Sequence, residues 1–250
     1  MRTTSTWRSV SRCERRAAVF GLLLGTLGMS GTLGVAPLGA QSGTVAGQLR
    51  VVDRPGEATH DLGDAVVWLE APRRLAFPAA AGGGAATTSS IEMRGREFIP
   101  HVRVVRAGGA VAFPNDDPYS HNVFSNTTLG GFDLGLYRSG QSRSAPFERP
   151  GVYPIYCNIH HRMVSFVVAV PTPWATQPDD AGHFAFRGVP AGAYVLHAWH
   201  ERTGEVHQSI EVADDAPAAV QLTLDARTYV ASPHLNKFGL PYTATRADRY

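Results

Sequence analysis

The stretch Pro150-Gly151-Val152-Tyr153-Pro154-Ile155-Tyr156-Cys157-Asn158-Ile159-His160-His161-Arg162-Met163, running on into Val164-Ser165-Phe166-Val167-Val168-Ala169-Val170, decides how this chain reads. Val152 to Cys157 and Val164 to Val170 are short β-branched and aromatic runs, the composition of strands. The turn between them carries a thiol, an imidazole and a thioether at Cys-x2-His-x2-Met spacing. A further imidazole, His121, stands upstream beside Asn122. Two imidazoles, one thiolate and one thioether form a soft, mixed N/S donor set suited to a transition metal.

Working outward, the same kind of run recurs between Gly, Pro, Asn and Asp clusters. Thr44 to Val52, Ala65 to Glu70, His101 to Arg106, Ala110 to Pro114, His183 to Phe186, Tyr194 to His200 and Val220 to Leu224 all have it. No stretch after the first 40 residues sustains a helical period with caps. The expectation is an all-β chain of sandwiches or barrels. Residues 125 to 145, with Gly130-Gly131 and Gly135, read as a long loop. Residues 76–90, Ala/Gly-rich and then Thr/Ser-rich, read as a flexible linker.

The N-terminus changes what composition means. Arg2, Arg8, Arg12, Arg15 and Arg16 make a positive region, Ala17 to Leu27 an apolar one, and Val35 to Ala40 a small-residue stretch suited to cleavage. Residues 1–40 thus read as a secretory signal peptide. The residues around Arg15-Arg16 fit general secretion better than twin-arginine export. Nothing later offers the ~20 apolar residues of a membrane span. The expected location is periplasmic or extracellular.

The whole chain has 23 Lys and Arg against 21 Asp and Glu; without residues 1–40 these become 18 and 20, a formal charge of −2. The apparent basicity belongs to the leader, and no nucleic-acid partner follows from the rest. Of the two cysteines, Cys13 leaves with the leader, so Cys157 has no partner for an internal disulfide. A lone thiol in an exported protein calls for burial or a metal.

From Glu97 to Val170 the chain resembles the cupredoxin family, most closely its amicyanin- and plastocyanin-like members. Phe98-Ile99-Pro100, the turn Ala107-Gly108-Gly109, Val111-Ala112-Phe113-Pro114-Asn115-Asp116-Asp117 and His121-Asn122-Val123-Phe124 follow that family's order, as do Phe147 and Pro150 to Cys157. One departure is His161, where amicyanins commonly have Pro. The resemblance implies a Greek-key sandwich holding one type 1 (blue) copper. Its ligands would be His121, Cys157, His160 and the axial Met163. Asn122 would support them, its backbone donating to the Cys157 sulfur and its side chain bracing the two ligand loops. It further implies one-electron transfer to or from a redox partner such as a cytochrome or a dehydrogenase. Proteins of this kind are sometimes labelled methylamine-utilisation proteins.

A second resemblance covers the flanks. Asp179-Asp180-Ala181-Gly182-His183-Phe184-Ala185-Phe186 and Val189-Pro190-Ala191-Gly192-Ala193-Tyr194 are similar to the carboxypeptidase regulatory-like sandwich, related to transthyretin-like modules. The opening strands of that module fall at Gly43 to Val52 and Asp64 to Glu70. The expected organisation is therefore a discontinuous sandwich from 41–75 and 171–226, with the copper domain, 91–170, inserted between, and a tail at 227–250.

Ligand counting narrows the function classes. A dinuclear copper centre needs a second Cys, and a multicopper cluster needs His where Tyr156 and Asn158 stand. His200-Glu201 lacks the following His of a zinc protease, and haem attachment needs Cys-x2-Cys-His. No enzymatic constellation is expected. The alternative to an electron carrier is a copper-handling or cell-surface and carbohydrate-binding module. Asp116 and Asp117 read as turn formers, and His101, His183, His197, His200 and His207 as ordinary strand or turn residues.

Overall fold

The computed structural model describes residues 42–57, 59–71, 89–213 and 217–242. The expected signal peptide, with Cys13, and residues 76–88 of the expected linker lie outside them. Apart from a single 3-10 turn at Leu62–Asp64, every regular element among the described residues is a strand. The all-β expectation therefore holds.

The chain opens with β1 (Ser42–Val52) and β2 (Val66–Glu70). Its middle supplies β3 (Ser89–Ser90), β4 (Glu92–Arg94), β5 (Glu97–Ile99), β6 (Val102–Arg106), β7 (Gly109–Pro114), β8 (His121–Ser125), β9 (Phe132–Tyr137), β10 (Ser142–Phe147), β11 (Gly151–Tyr156) and β12 (Val164–Val170). The last part supplies β13 (Ala175–Thr176), β14 (His183–Pro190), β15 (Gly192–His200), β16 (Gly204–Val212) and β17 (Pro217–Asp225).

Strand pairing divides these into two groups. In the first, the order β14-β1-β17 forms one sheet and β13-β2-β15-β16 another. β1 runs antiparallel to β14 and parallel to β17. Side chains alternate across the pleat, so Val45, Leu49, Val67, Leu69, Phe184, Phe186, Leu196 and Leu222 meet in one buried cluster. Gly182 closes the β14 turn at φ 81°, and a Cβ there would stand 2.1 Å from the Leu49 carbonyl oxygen. Only glycine fits that position.

In the second group, β6-β12-β11-β8-β9 faces β10-β7-β3, with β4-β5 as a separate hairpin. Met93, Phe98, Val111, Phe113, Phe147, Tyr153, Ile155 and Val167 fill the space between. Ser89–Ser90, the end of the expected linker, is β3 and pairs in parallel with β7.

β2 and β12 read as nearly unbroken apolar runs because both of their faces are covered. Their outer faces meet in a third cluster, where Val66, Trp68 and Trp199 of the first group pack on Val102, Val168 and Val170 of the second. Each such side chain, fully buried, contributes roughly 1.5–3 kcal/mol, so the two groups are held together by apolar contact rather than by a loose tether.

The expected loop at 125 to 145 is corrected: it contains β9 and the first part of β10. Both are edge strands, as is β16, which the sequence reading passed over. An edge strand with one solvated face alternates rather than forming an apolar run, and the inward positions of β16 include Gly204 and Gln208 beside Val206, Ile210 and Val212.

Candidate metal centre

Three side chains converge at one end of the second strand group. His121 opens β8, in which every residue is buried. Cys157 follows β11, and the turn after it is closed by backbone hydrogen bonds from Cys157 N–H to Met163 O (3.2 Å) and from Met163 N–H to His160 O (3.0 Å). This turn brings His160 back over the sulfur. Cys157 Sγ lies 3.8 Å from His121 Nδ1 and 3.7 Å from His160 Nδ1, and the two nitrogens are 3.1 Å apart. The point equidistant from these three atoms is about 2.1 Å from each, the length of a transition-metal bond to imidazole and slightly short of one to thiolate. The donor set therefore fits a metal ion without rearrangement of the backbone.

The three donors differ in exposure. His121 and Cys157 are completely buried, whereas His160 is partly open to solvent. Met163 is buried in the same cluster as the Cys157 side chain. His161 is exposed, its ring 6.2 Å from that of Tyr242.

Burial pushes the Cys157 thiol up; the backbone N–H groups of Asn122, Ile159 and His160, directed at the sulfur, act in the opposite direction. The Asn122 backbone N–H thus points at the sulfur. Its side chain does something else: Nδ2 donates to Asp133 Oδ1 at 2.6 Å, and Oδ1 is buried with no hydrogen-bond partner among the described residues. The link onward to the ligand loop runs from Asp133 to Lys237 Nζ (2.6 Å) and from Lys237 N–H to Asn158 Oδ1 (3.0 Å).

Two functional features escaped the sequence reading. Asp117, taken as a turn former, is buried and lies 2.7 Å from His121 Nε2. It also accepts the backbone N–H groups of Gly95 (2.6 Å) and Arg96 (2.8 Å). Burial works against its charge, but the Arg96 N–H, the His121 ring and the Gly95 N–H outweigh it and hold the carboxyl below the usual range. Asn115, also buried, accepts the Asp117 N–H and donates to Tyr119 O and Tyr137 O, which fixes the turn. A carboxylate on the far nitrogen sets the ring orientation and leaves Nδ1 facing the sulfur.

The second feature is the segment after β17. His234 stacks on Tyr156 (centroids 4.1 Å apart) and its Nε2 donates to His161 O at 2.7 Å. Tyr242 OH donates to Cys157 O at 2.8 Å. With Lys237, which meets Asn158 and Asp133, these residues hold the segment after β17 against the Cys157 turn. No periodicity signals such contacts, because each is a single side chain reaching far along the sequence. Tyr242→Phe removes the donor to the Cys157 carbonyl, worth about 1 kcal/mol. The expected result is roughly fivefold faster hydrogen exchange at the Met163 and Cys157 amides, with exchange in the first strand group unchanged.

No protein-family model matches the chain, and no curated protein sequence does. Several solved structures are similar to part of it. A methionine-to-alanine variant of amicyanin in its Cu(I) form is 19% identical over 35% of this chain and 86% of its own, with a TM-score of 0.32. The purple cupredoxin from Nitrosopumilus maritimus is 23% identical over 33% of this chain and 99% of its own, with a TM-score of 0.30. The copper-containing nitrite reductase from Thermus scotoductus is 24% identical over 41% of this chain and 27% of its own, with a TM-score of 0.33.

Proposed function

We propose that this chain is an exported type 1 copper protein that exchanges single electrons with a redox partner protein, with His121, Cys157 and His160 as the principal ligands and Met163 as the axial one. The observation that carries the reading is the triangle of two imidazole nitrogens and one sulfur, 3.1 to 3.8 Å on a side, in a buried setting. Thiolate and thioether donors select copper over harder ions, and imidazole suits it too. When bound, copper supplies a one-electron couple between Cu(II) and Cu(I).

The chain's own residues make that couple usable. Asp117 and the surrounding turn fix the His121 ring, and the hydrogen-bonded loop fixes Cys157 and His160, so the donors need not move when charge changes. Burial excludes water from the thiolate. His160, the partly exposed donor, offers a docking partner the shortest approach to the site. We read the chain as an electron carrier.

We further infer that residues 91–170 are a domain inserted into a discontinuous regulatory-like sandwich made by 41–75 and 171–226. Support comes from β3 to β12 pairing only among themselves and from β1 and β2 pairing only with β13 to β17. Residues 1–40 would serve as the export signal, placing the protein in the periplasm or outside the cell.

Copper(II) added to the purified metal-free protein should give an intense visible thiolate-to-copper band and a reversible one-electron wave. Met163→Leu should keep the band and shift the potential. Absence of a coloured equivalent, with colourless copper alone bound, would overturn the carrier reading and favour copper handling.

A further inference from the structure

The ladder between β15 and β16 carries a second group of metal-binding side chains, distant in sequence from the first. His197 stands directly opposite His207, and Glu205 precedes His207 by two positions, so the pleat puts all three on one face. One donor atom from each lies within 4.8 Å of the others, and the two rings are 5.8 Å apart. On its other side His197 faces β2: it stacks on Trp68 with centroids 4.9 Å apart and planes 7° from parallel.

His197 is 9% exposed and sits between two carboxylates. Its Nδ1 is 2.7 Å from Glu205 Oε1 and its Nε2 is 2.9 Å from Glu70 Oε2. The cluster borders a groove of about 460 Å³ at the junction of the two strand groups. Trp68, Glu70, His197 and Glu205 line it from the first group, and Val152 and Val168 from the second.

A simple ion pair accounts for one carboxylate and one ring. It leaves unexplained a second carboxylate on the same ring and a second imidazole set on the same face by strand register. A metal accounts for all four. A ligating histidine gives its other ring N–H to a carboxylate, which fixes the tautomer, and Glu70 is placed to accept that proton at Nε2. Nδ1 then shares the space with Glu205 and His207. Stacking on Trp68 holds the ring plane, so the donor is already oriented. Two imidazoles and a carboxylate, with no thiol, suit Zn(II), Ni(II) and above all Cu(II), and give magnesium and calcium too few oxygens.

We propose that His197, His207 and Glu205 bind one divalent first-row transition-metal ion, with Glu70 as the positioning residue. The site shares no residue with the thiolate centre and stands whether or not that centre holds copper.

The test is a copper(II) titration of the full chain followed by paramagnetic resonance and metal analysis. One colourless equivalent with a tetragonal N/O signal is expected, separate from any thiolate-coloured one. His207→Ala and Glu205→Gln change exposed side chains and should leave the melting temperature of the metal-free protein in place. They should remove the tetragonal signal, and Glu70→Gln should weaken binding about 10–100-fold. Absence of the colourless equivalent, or its persistence at unchanged affinity in both His207→Ala and Glu205→Gln, would overturn the proposal. A missing visible band would count against the thiolate centre alone.

Discussion

The Cys157→Ser protein is expected to bind copper(II) without any intense visible band, and to hold it far more weakly at the His121–His160 pair. The band comes from charge transfer out of a thiolate, and among the described residues Cys157 carries the sole thiol. A serine hydroxyl is harder and stays protonated at neutral pH, so it neither gives that transition nor selects Cu(I). Loss of a direct ligand should cost more than the ~10–100-fold that follows loss of a supporting partner. The fold should survive, because the hydroxyl occupies slightly less space and meets the same backbone N–H groups of Asn122, Ile159 and His160. A change in stability of about 1 kcal/mol is expected. Absorbance with copper and a melt of the metal-free protein together check this; a visible band that persists in the serine variant would exclude Cys157 as its source.

The second large effect is expected from Asp117→Ala. Its carboxylate accepts two backbone N–H groups from a partly exposed turn and meets the His121 ring, which is completely buried. Removing it frees two part-buried N–H groups and strands the far nitrogen of the buried ring. Leaving a buried ring nitrogen without its partner costs about 1–3 kcal/mol. Copper affinity should fall ~10–100-fold as His121 loses its fixed orientation. Asp117→Asn serves as the control for folding, since its amide oxygen still accepts the Gly95 or Arg96 N–H. It should recover much of the stability and less of the affinity. Denaturant unfolding and copper titration on both variants separate the two roles, and equal affinity in wild type, Ala and Asn variants would remove Asp117 from the site.

These two residues also mark how far the chain was legible in advance. Cys157 announced itself through local features: a strand, a turn with His160 and Met163 at set spacings, and another strand. Asp117 did not, because an aspartate in a turn looks the same whether it faces water or reaches back under a neighbouring loop. His197 and His207 were passed over for a related reason. Each is an unremarkable strand residue until β15 and β16 are placed in register, and β16 itself holds no apolar run, with Gly204 and Gln208 among its inward positions. The partner of the Asn122 side chain was hidden, since Asp133 lies on β9, a strand within what read as loop.

What sequence alone determined is therefore what depends on neighbours along the chain: the all-β class, the central strands and the donor spacing around Cys157. Tertiary structure decided what depends on neighbours across space: the Asp117 support for His121, the strap of His234, Lys237 and Tyr242 across the ligand loop, and the ladder that sets His197 against His207. The physical reason is that periodicity reports which face of an element is buried, whereas a hydrogen bond or a metal site needs two or more distant backbones brought within a few ångströms. Strand register and core packing alone supply that proximity.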